Sequence, residues 1–342
     1  MKFSAGIIVL NGMPYLPYLL RNIYPVMDEI VIVEGAALSA AESATAAGHS
    51  LDDTVAALNI FSDPERKIKF IQKDGFWNEK DEMSQAYAAE CSGDYLWQID
   101  MDEFYHHHDV QWIKHYLAEN PEIGAVSFKT LNFFRGVEAV AKGARFSYGD
   151  DQFWRLFRWG RGYTYATHRP PTVLDRSGVD TRKSGVLYGN DLARQQGIYL
   201  YHYSYVLPAQ VQHKTRYHES LGRFHRIKHH SQWYEDHFLH FTPYRVQMSR
   251  RPLSWLEPFR GEHPPEIKEM LLDASAGHIH VDFSTPPEIQ RLLESSWRWR
   301  FWKILGHIDA VIWRIYDESI RALLRPFVRP IRKRFFGYRY DE

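Results

Sequence analysis

The residues best suited to chemistry are three carboxylates, at positions 100, 102 and 103, which directly follow a short apolar run. Two aspartates one residue apart at the end of a strand can both reach a hard divalent cation, and such a cation also binds diphosphate oxygens. We therefore expect Asp100 and Asp102 to hold Mn²⁺ or Mg²⁺, which would stabilise a departing diphosphate. Acidic turns are also common on protein surfaces, so the pattern by itself fits a solvated loop as well.

The elements that must position these carboxylates are alternating strands and helices. Four short apolar runs predict buried strands: residues 3–10, 29–33, 67–72 and 95–99. Apolar residues at helical spacing predict helices between them, and the alternation predicts an α/β fold in which helices flank a mostly parallel sheet. Ligands of such sheets bind at the carboxyl ends of the strands. We therefore expect Asn11, Glu34, Asp74 and the acidic residues to meet at one edge of the sheet.

The pattern changes from about residue 125 onward. Longer aromatic segments predict strands at 125–134, 153–158 and 197–205, as a mixed or antiparallel extension of the same sheet. Residues 206–245 have helical spacing and many histidines. Prolines then mark residues 246–296 as a connecting region.

The composition excludes several classes of protein. The chain has 342 residues, 44% of them hydrophobic, which is close to the globular average, so disordered, collagen-like and disulfide-stapled proteins are excluded. Cys91 is the one cysteine, so a reducing compartment is expected. Because no apolar run approaches the roughly 20 residues that span a bilayer, we expect a cytoplasmic protein. Residues 1–110 carry 7 Lys and Arg against 18 Asp and Glu, which disfavours nucleic acid as a partner.

Several segments, taken in their order along the chain, resemble the family 2-like glycosyltransferases of the GT-A fold, in particular the lipopolysaccharide-type transferases. The matching segments are residues 7–11, 28–35, 80–90, 93–95, 100–103, 154–158, 167–168 and 201–205. Together they cover about residues 3–217. The second predicted strand and the acidic residues are also similar to the family 17 N-acetylglucosaminyltransferases.

This resemblance implies both a fold and an activity. The fold would be a GT-A domain over residues 1–245, with a nucleotide-binding half at 1–110 and an acceptor half at 111–245, followed by a helical C-terminal extension. The activity would be metal-dependent, inverting transfer of a hexosyl or N-acetylhexosaminyl group. The expected donor is a nucleotide-diphosphate sugar, first of all a UDP-sugar, and the expected acceptor is a glycan or lipid-linked molecule of the cell envelope.

The resemblance also implies which residues contact the donor. Asn11, Glu34 and Asp74 would line the nucleoside pocket, with Asn78 and Lys80 nearby. A carboxylate suits position 34 because it accepts hydrogen bonds from ribose hydroxyls or a base N–H. A glutamate that caps a turn at the end of a strand would explain the same residue.

Two segments after residue 200 could complete the site. By the resemblance, His202 would join the metal ligands or bond the diphosphate, although a buried, hydrogen-bonded histidine fits equally well. Gln210, Lys214 and Tyr217 have helical spacing and could fold over the pyrophosphate, with Lys214 binding it. A simple amphipathic helix explains that spacing too.

The catalytic base is the least determined part of the site. An inverting transfer needs a group that takes the proton from the acceptor hydroxyl. Related lipopolysaccharide-type transferases have a His-Glu pair where this chain has His168-Arg169, so the carboxylate is missing. Asp151 and His168 are the expected candidates, with Asp175 behind them, and each also fits an ordinary polar loop residue.

The remaining histidines and the cysteine suggest structural roles. Residues 106–108 are three successive histidines, which cannot easily converge on one ion, so we expect a solvated or substrate-facing loop. A second group of histidines at 225, 229, 230, 237 and 240 predicts a charged helix face. We expect Cys91 to be a small buried residue.

Residues 297–342 differ from the rest of the chain, with 11 Lys and Arg against 5 Asp and Glu and many aromatics. A helical apolar stripe with this charge suits a helix that lies on an anionic membrane surface and would make the protein peripheral to the membrane. A helix packed on the catalytic domain is the alternative.

Two other functions compete with sugar transfer. Nucleotidyl transfer also uses paired carboxylates and a metal, but it usually has a glycine- and lysine-containing phosphate loop, and residues 10–20 contain only Gly12 and no lysine. The second competitor is a non-enzymatic sugar-binding or membrane-docking module whose acidic loop binds calcium.

Overall fold

A computed structural model describes residues 1–143, 153–220, 230–246 and 253–316. The described strands are β1 Phe3–Val9, β2 Glu29–Glu34, β3 Ile68–Ile71, β4 Tyr95–Ile99, β5 Glu103–Phe104, β6 Ile123–Phe128, β7 Thr130–Phe134, β8 Ala139–Gly143, β9 Phe153–Arg158, β10 Thr164–His168, β11 Pro171–Leu174, β12 Gly185–Leu187, β13 Leu200–Tyr205 and β14 Ser254–Pro258. The described helices are α1 Tyr15–Ile23, α2 Thr54–Ile60, α3 Lys80–Glu90, α4 His107–Glu119, α5 Gly189–Gln196, α6 Pro208–Ser220, α7 His230–Trp233, α8 Pro265–Ser275, α9 Pro287–Glu294 and α10 Ser296–Ile315. A π-helical turn, Tyr234–Leu239, continues α7.

The main sheet confirms the predicted α/β architecture. Within the described residues it has seven strands in the order β12-β6-β9-β4-β1-β2-β3. The strands β1 to β4 are parallel, and β9 runs antiparallel between β4 and β6. Val9 lies opposite Glu34 and Ile7 lies opposite Ile99. This register brings the carboxyl ends of β1, β2 and β4 to one edge of the sheet.

A second sheet adjoins the main sheet just after the end of β4. In the described part of the chain its order is β14-β8-β7-β13-β5. The short strand β5, which directly follows the acidic residues, pairs antiparallel with β13, so that His202 lies opposite Glu103. The turn from β4 to β5 therefore joins the two sheets and places the acidic residues between them.

We predicted that the strands after residue 125 extend the main sheet, and this arrangement corrects that prediction. The predicted strand at 125–134 is two strands, β6 in the main sheet and β7 in the second sheet. Every residue of both strands is buried. Only Lys129, between the two strands, is half-buried, and residues 125–134 contain no glycine or proline that would mark the passage between sheets.

Helices cover both faces of the main sheet. On one face, α1 along its whole length and the middle of α4 join a large buried cluster with β1 and β4. On the other face α3 packs so closely on β1 that a Cβ atom at Gly6 would lie 2.4 Å from the ring of Tyr87. Only glycine allows that approach. Cys91, which follows α3, is buried.

The region at 246–296, predicted as a connection, contains β14, α8 and α9. The strand β14 pairs antiparallel with β8 along its whole length. The helix α8 packs on α1, where the hydroxyl of Tyr18 donates to Asp273 Oδ2 at 2.6 Å. The helix α10, which comes after α9, packs on β14. Of the helices described, none is both long and apolar enough to pass through a bilayer.

Candidate active site

Arg155 fixes the acidic residues at the end of β4. From β9 its Nε donates to Glu103 Oε2 at 2.9 Å and its Nη2 donates to Asp100 Oδ2 at 3.0 Å. Glu103 is fully buried. Burial by itself raises the pKa of Asp100, but the charges of Arg155 and Arg169 outweigh it and hold that pKa well below its usual range. Asp100 is therefore an ionised carboxylate that already has a guanidinium partner.

Asp102 faces a histidine across the two strands. His202 Nε2 lies 3.5 Å from Asp102 Oδ1, and His202 Nδ1 lies 2.8 Å from Asn132 Oδ1. The amide nitrogen of Asn132 donates to Thr130 Oγ1 at 2.7 Å, so its oxygen is free to accept. His202 Nδ1 therefore carries a proton, and Nε2 points at a carboxylate oxygen.

A positive charge between the two atoms of this facing pair would stabilise it. Burial raises the pKa of Asp102, but His202 and Lys214 more than offset that effect, so the carboxyl is ionised. A neutral imidazole would then place a lone pair against an anionic oxygen. Either a second proton on His202 or a bound cation resolves the contact, and a hydrogen bond that fixes the other ring nitrogen is typical of metal-binding histidines.

The positive charge around the acidic residues exceeds the negative charge. The described side chains that influence one another here are the carboxylates Asp100, Asp102 and Glu103 and the basic groups Lys80, Arg155, Arg169 and Lys214. Four cationic groups thus meet three anionic ones in a half-buried setting. Burial, with the charge of Arg169, lowers the pKa of Lys80 to about 8. An anion bound here would relieve the mutual repulsion of the basic groups.

Each of these basic groups comes from a different element. Lys80 is the first residue of α3, and its Nζ lies 5.0 Å from the ring centroid of Tyr217 on α6. Arg169 follows β10, and its Nη2 lies 3.8 Å from Asp100 Oδ2. Lys214 on α6 donates to the Ser204 hydroxyl. The helix α6 thus brings Lys214 and Tyr217 next to this cluster.

His168, the last residue of β10, belongs to the same cluster. Its Nδ1 lies 2.8 Å from Ser84 Oγ, and the Ser84 hydroxyl donates to the carbonyl of Lys80 at 3.0 Å. Because that hydroxyl has one proton, His168 Nδ1 is the donor and Nε2 carries the lone pair. Burial lowers the pKa of His168 to about 3, so the imidazole is neutral at physiological pH.

The other predicted bases are Asp151 and Asp175. Asp151 lies outside the described residues. Asp175 accepts hydrogen bonds from the backbone N–H groups of Ser177 and Val179 at 2.8 and 2.9 Å, so its carboxylate closes an exposed turn.

The structure places Glu34 inside a network that holds the loop at residues 43–51, here called the 43–51 loop. Its carboxylate is fully buried, accepts from the backbone N–H of Ser50 at 2.7 Å and from Gln72 Nε2 at 3.0 Å, and lies 2.9 Å from His49 Nδ1. A ligand would reach this carboxylate only by displacing one of these donors.

Asn11 holds the same loop from the other side. Its backbone has φ +52°, a left-handed conformation that asparagine tolerates better than most residues. Its Nδ2 donates to the carbonyl of Ser43 and its Oδ1 accepts from the N–H of Leu51, both at 2.7 Å. Asn11 and Glu34 therefore determine where the 43–51 loop lies at the edge of the sheet.

The loop presents a residue that the sequence analysis did not single out. His49 is one-fifth exposed, and its Nε2 lies 3.6 Å from Oδ1 of the fully exposed Asp74. Asn78, by contrast, uses its backbone N–H and its side-chain amide on Glu82 Oε2, at 2.6 and 2.8 Å. The signal for His49 was weak, because it lies in an Ala-, Ser- and Gly-rich stretch without periodicity.

The three successive histidines point to separate partners. His106 Nε2 lies 3.1 Å from the Tyr201 hydroxyl, and His107 Nε2 lies 3.2 Å from Glu266 Oε1. His108 pairs with Asp109. Of the second histidine group, His225 and His229 lie outside the described residues.

A bound cation would need ligands from outside the protein. Across the described residues no group of three or more His, Cys, Asp and Glu side chains is arranged to hold a metal ion. Asp102 and His202 form a pair, and Mg²⁺ or Mn²⁺ often takes one or two protein ligands and completes its shell with phosphate oxygens and water. The residues present therefore suit a cation that binds together with a phosphorylated ligand.

This chain is only distantly similar to known proteins. No family model matches the sequence, and no curated protein matches it. One similar solved structure is glucosyl-3-phosphoglycerate synthase from Mycobacterium tuberculosis with Mn²⁺, UDP and glucosyl-3-phosphoglycerate, with 20% identity over 40% of this chain and 44% of that chain and a TM-score of 0.28. Another is S. aureus TarS, with 14% identity over 70% of this chain and 43% of that chain and a TM-score of 0.35. The chain thus spans less than half the length of these structures.

Proposed function

We propose that this protein is a glycosyltransferase that moves a sugar from a nucleotide-diphosphate donor to a hydroxyl of a glycan or lipid-linked acceptor. The observation that supports this most is the cluster at the end of β4, where an ionised carboxylate faces an imidazole nitrogen amid an excess of basic groups. Such a cluster suits a cation and a diphosphate bound together. It also lies at the carboxyl edge of a parallel sheet, where ligands of α/β proteins bind.

Asp102 and His202 are the residues that would hold Mn²⁺ or Mg²⁺. Such an ion supplies charge stabilisation for the leaving diphosphate when it is bound. Asn132 orients His202 by accepting the proton of Nδ1. Asp100, which the sequence also suggested as a ligand, is held by Arg155, and its direct contact with the ion stays a prediction.

Lys80, Arg169 and Lys214 bind the diphosphate oxygens in this proposal. They come from three elements and already surround the carboxylates, so little rearrangement is needed when the donor binds. Fixed positive charges in a half-buried site stabilise developing negative charge more strongly than they would in water. These groups would therefore stabilise the negative charge that develops on the leaving diphosphate during transfer.

The nucleoside occupies the adjacent edge, at the 43–51 loop. His49 and Asp74 present polar atoms there, while Asn11 and Glu34 position the loop. We propose a UDP-sugar as the donor. The sugar itself is selected by residues that this arrangement does not single out.

Two residues compete for the role of base in an inverting transfer. His168 Nε2 carries a lone pair and is therefore in the correct protonation state, but its lowered pKa makes it a weak acceptor. Asp151 is the second candidate. Comparison of turnover in His168→Gln and Asp151→Asn separates the two, because only the variant that lacks the base loses transfer while it retains donor binding.

The proposal is tested by thermal unfolding with UDP, GDP and ADP, each with and without Mn²⁺. A ligand at a hundred times its dissociation constant stabilises a protein by about 2.7 kcal/mol. We expect stabilisation by UDP that depends on Mn²⁺, and release of UDP from UDP-glucose or UDP-N-acetylglucosamine. If no nucleoside diphosphate stabilises the protein while Ca²⁺ alone does, the protein is a calcium-binding module and the proposal is wrong.

A further inference from the structure

The outward face of α10 is apolar along its whole length. The exposed residues on this face, here called the α10 stripe, are Trp297, Phe301, Ile304, Ile308, Val311, Ile312, Ile315 and the adjacent Tyr316. They recur every three or four residues, which places them on one side of a helix. At about 1.5 Å per residue the stripe is about 28 Å long.

The opposite face of α10 is fixed on β14. A Cβ atom at Gly306 would lie 2.2 Å from the ring of Trp255, so the helix lies directly on that side chain. The carboxylate of Asp309 accepts from the N–H of Leu253 at 2.7 Å, and Lys303 pairs with Glu257 at 3.2 Å. The helix therefore cannot rotate to bury the α10 stripe without losing these contacts.

The distribution of polar residues on α10 is the reverse of that expected for a helix that faces water. Among its described side chains, the exposed polar ones are Ser296, Arg298 and Arg300, and none is acidic. A surface helix normally presents its charged residues outward and its apolar residues inward. An apolar surface of this length generally marks a contact with a partner or a membrane.

We propose that the α10 stripe docks on an anionic membrane surface, with α10 lying parallel to it. Residues 297–342 carry 11 Lys and Arg against 5 Asp and Glu, which suits anionic headgroups. A second copy of this chain would instead bring the same positive charge against Arg298 and Arg300. Aromatic residues at both ends of the stripe, Trp297 and Tyr316, are typical of the boundary between lipid and water.

Docking has a consequence for the site, and this consequence alone depends on the proposed function. The strands β14 and β13 are separated by β8 and β7 in the second sheet. Three strand spacings amount to about 14 Å. The helix that carries the α10 stripe therefore lies on the same sheet as His202. A membrane at the stripe would be near the site, which suits an acceptor that is anchored in lipid.

The test is flotation of the full chain with vesicles of phosphatidylcholine alone or mixed with phosphatidylglycerol. The double variant Ile304→Asp/Ile308→Asp alters two exposed stripe residues, and Leu272→Asp, an exposed residue of α8, is the matched control. We expect the wild type and the control to float with the anionic vesicles. The double variant should bind about tenfold more weakly or worse, because burial of even one isoleucine side chain contributes that much. Arg298→Gln/Arg300→Gln should weaken binding to the anionic vesicles.

Three results would overturn the proposal. They are no binding to either vesicle, equal binding to both, or self-association in sedimentation that the double variant abolishes. Stabilisation by UDP and Mn²⁺ should be the same in the double variant and the wild type. That measurement separates a failure of docking from a failure of the proposed activity, since the stripe lies outside the donor site.

Discussion

Two neighbouring regions at the same edge of the main sheet use polar residues in opposite ways. At the 43–51 loop, Glu34 is a buried carboxylate that has three nitrogen partners. At the end of β4, Asp102 faces an imidazole nitrogen whose other side is already bonded. The first region is complete without a ligand, whereas the second has unbalanced charge.

This difference separates residues that shape a site from residues that act in it. Buried polar groups with all partners present rigidify a protein. Groups that leave charge unbalanced at a sheet edge are candidates for ligand binding. We therefore expect substitutions in the 43–51 loop to affect stability first, and substitutions beside Asp102 to affect turnover first.

The largest effect is expected for Asp102→Asn. The change keeps the shape of the side chain but removes the charge that faces His202, so the cation and diphosphate lose their anchor. UDP release from the donor should fall by about 10²- to 10³-fold, the usual loss when one preorganised electrostatic group is removed. The melting temperature should change little. Asp282→Asn, at an exposed turn, is the control, and turnover at the wild-type rate in Asp102→Asn would contradict the comparison.

Glu34→Gln should have the converse effect. The amide keeps one acceptor oxygen but turns a donor toward His49, Ser50 or Gln72, which leaves buried donors unpaired. The free energy of unfolding, measured in urea, should fall by about 3 kcal/mol. At temperatures where the variant stays folded, kcat should be nearly unchanged while KM for the donor rises. Glu42→Gln, at an exposed residue directly before this loop, is the control. A large loss of kcat without a loss of stability would reverse the assignment of the two regions.

The sequence predicted the main sheet well because its strands are short, apolar and separated by helices. The runs ending near Leu10, Glu34 and Ile99 are each bounded by turn residues, and all three became parallel strands. The second sheet was not predicted as separate. Two successive strands that are each buried throughout, as β6 and β7 are, have no period that could reveal a change of sheet.

The sequence suggested which residues could form the site but not their contacts. Position after a strand suggested Asp100 and Asp102, the family resemblance suggested Lys80, and helical spacing suggested Lys214. The partner of each side chain depends on segments distant in sequence, such as Arg155 on β9. The role of Arg169 could not be read from its position, because it follows a strand of a separate two-stranded sheet formed by β10 and β11.

The smallest effect concerns the pH dependence of donor binding. Burial, with the charge of Arg169, lowers the pKa of Lys80 to about 8, so Lys80 is cationic below that pH and loses its proton above it. A neutral lysine no longer attracts the diphosphate, so donor affinity should fall by about tenfold between pH 7.5 and pH 9, the value of one charged hydrogen bond. Lys80→Arg keeps its charge throughout this range and should remove most of the decline, whereas Lys183→Arg on the surface should not. If Lys80→Arg and the wild type lose donor affinity in parallel as the pH rises, the titrating charge that binds the donor is not that of Lys80. The contrast between the two regions would then depend on Asp102 and His202 alone.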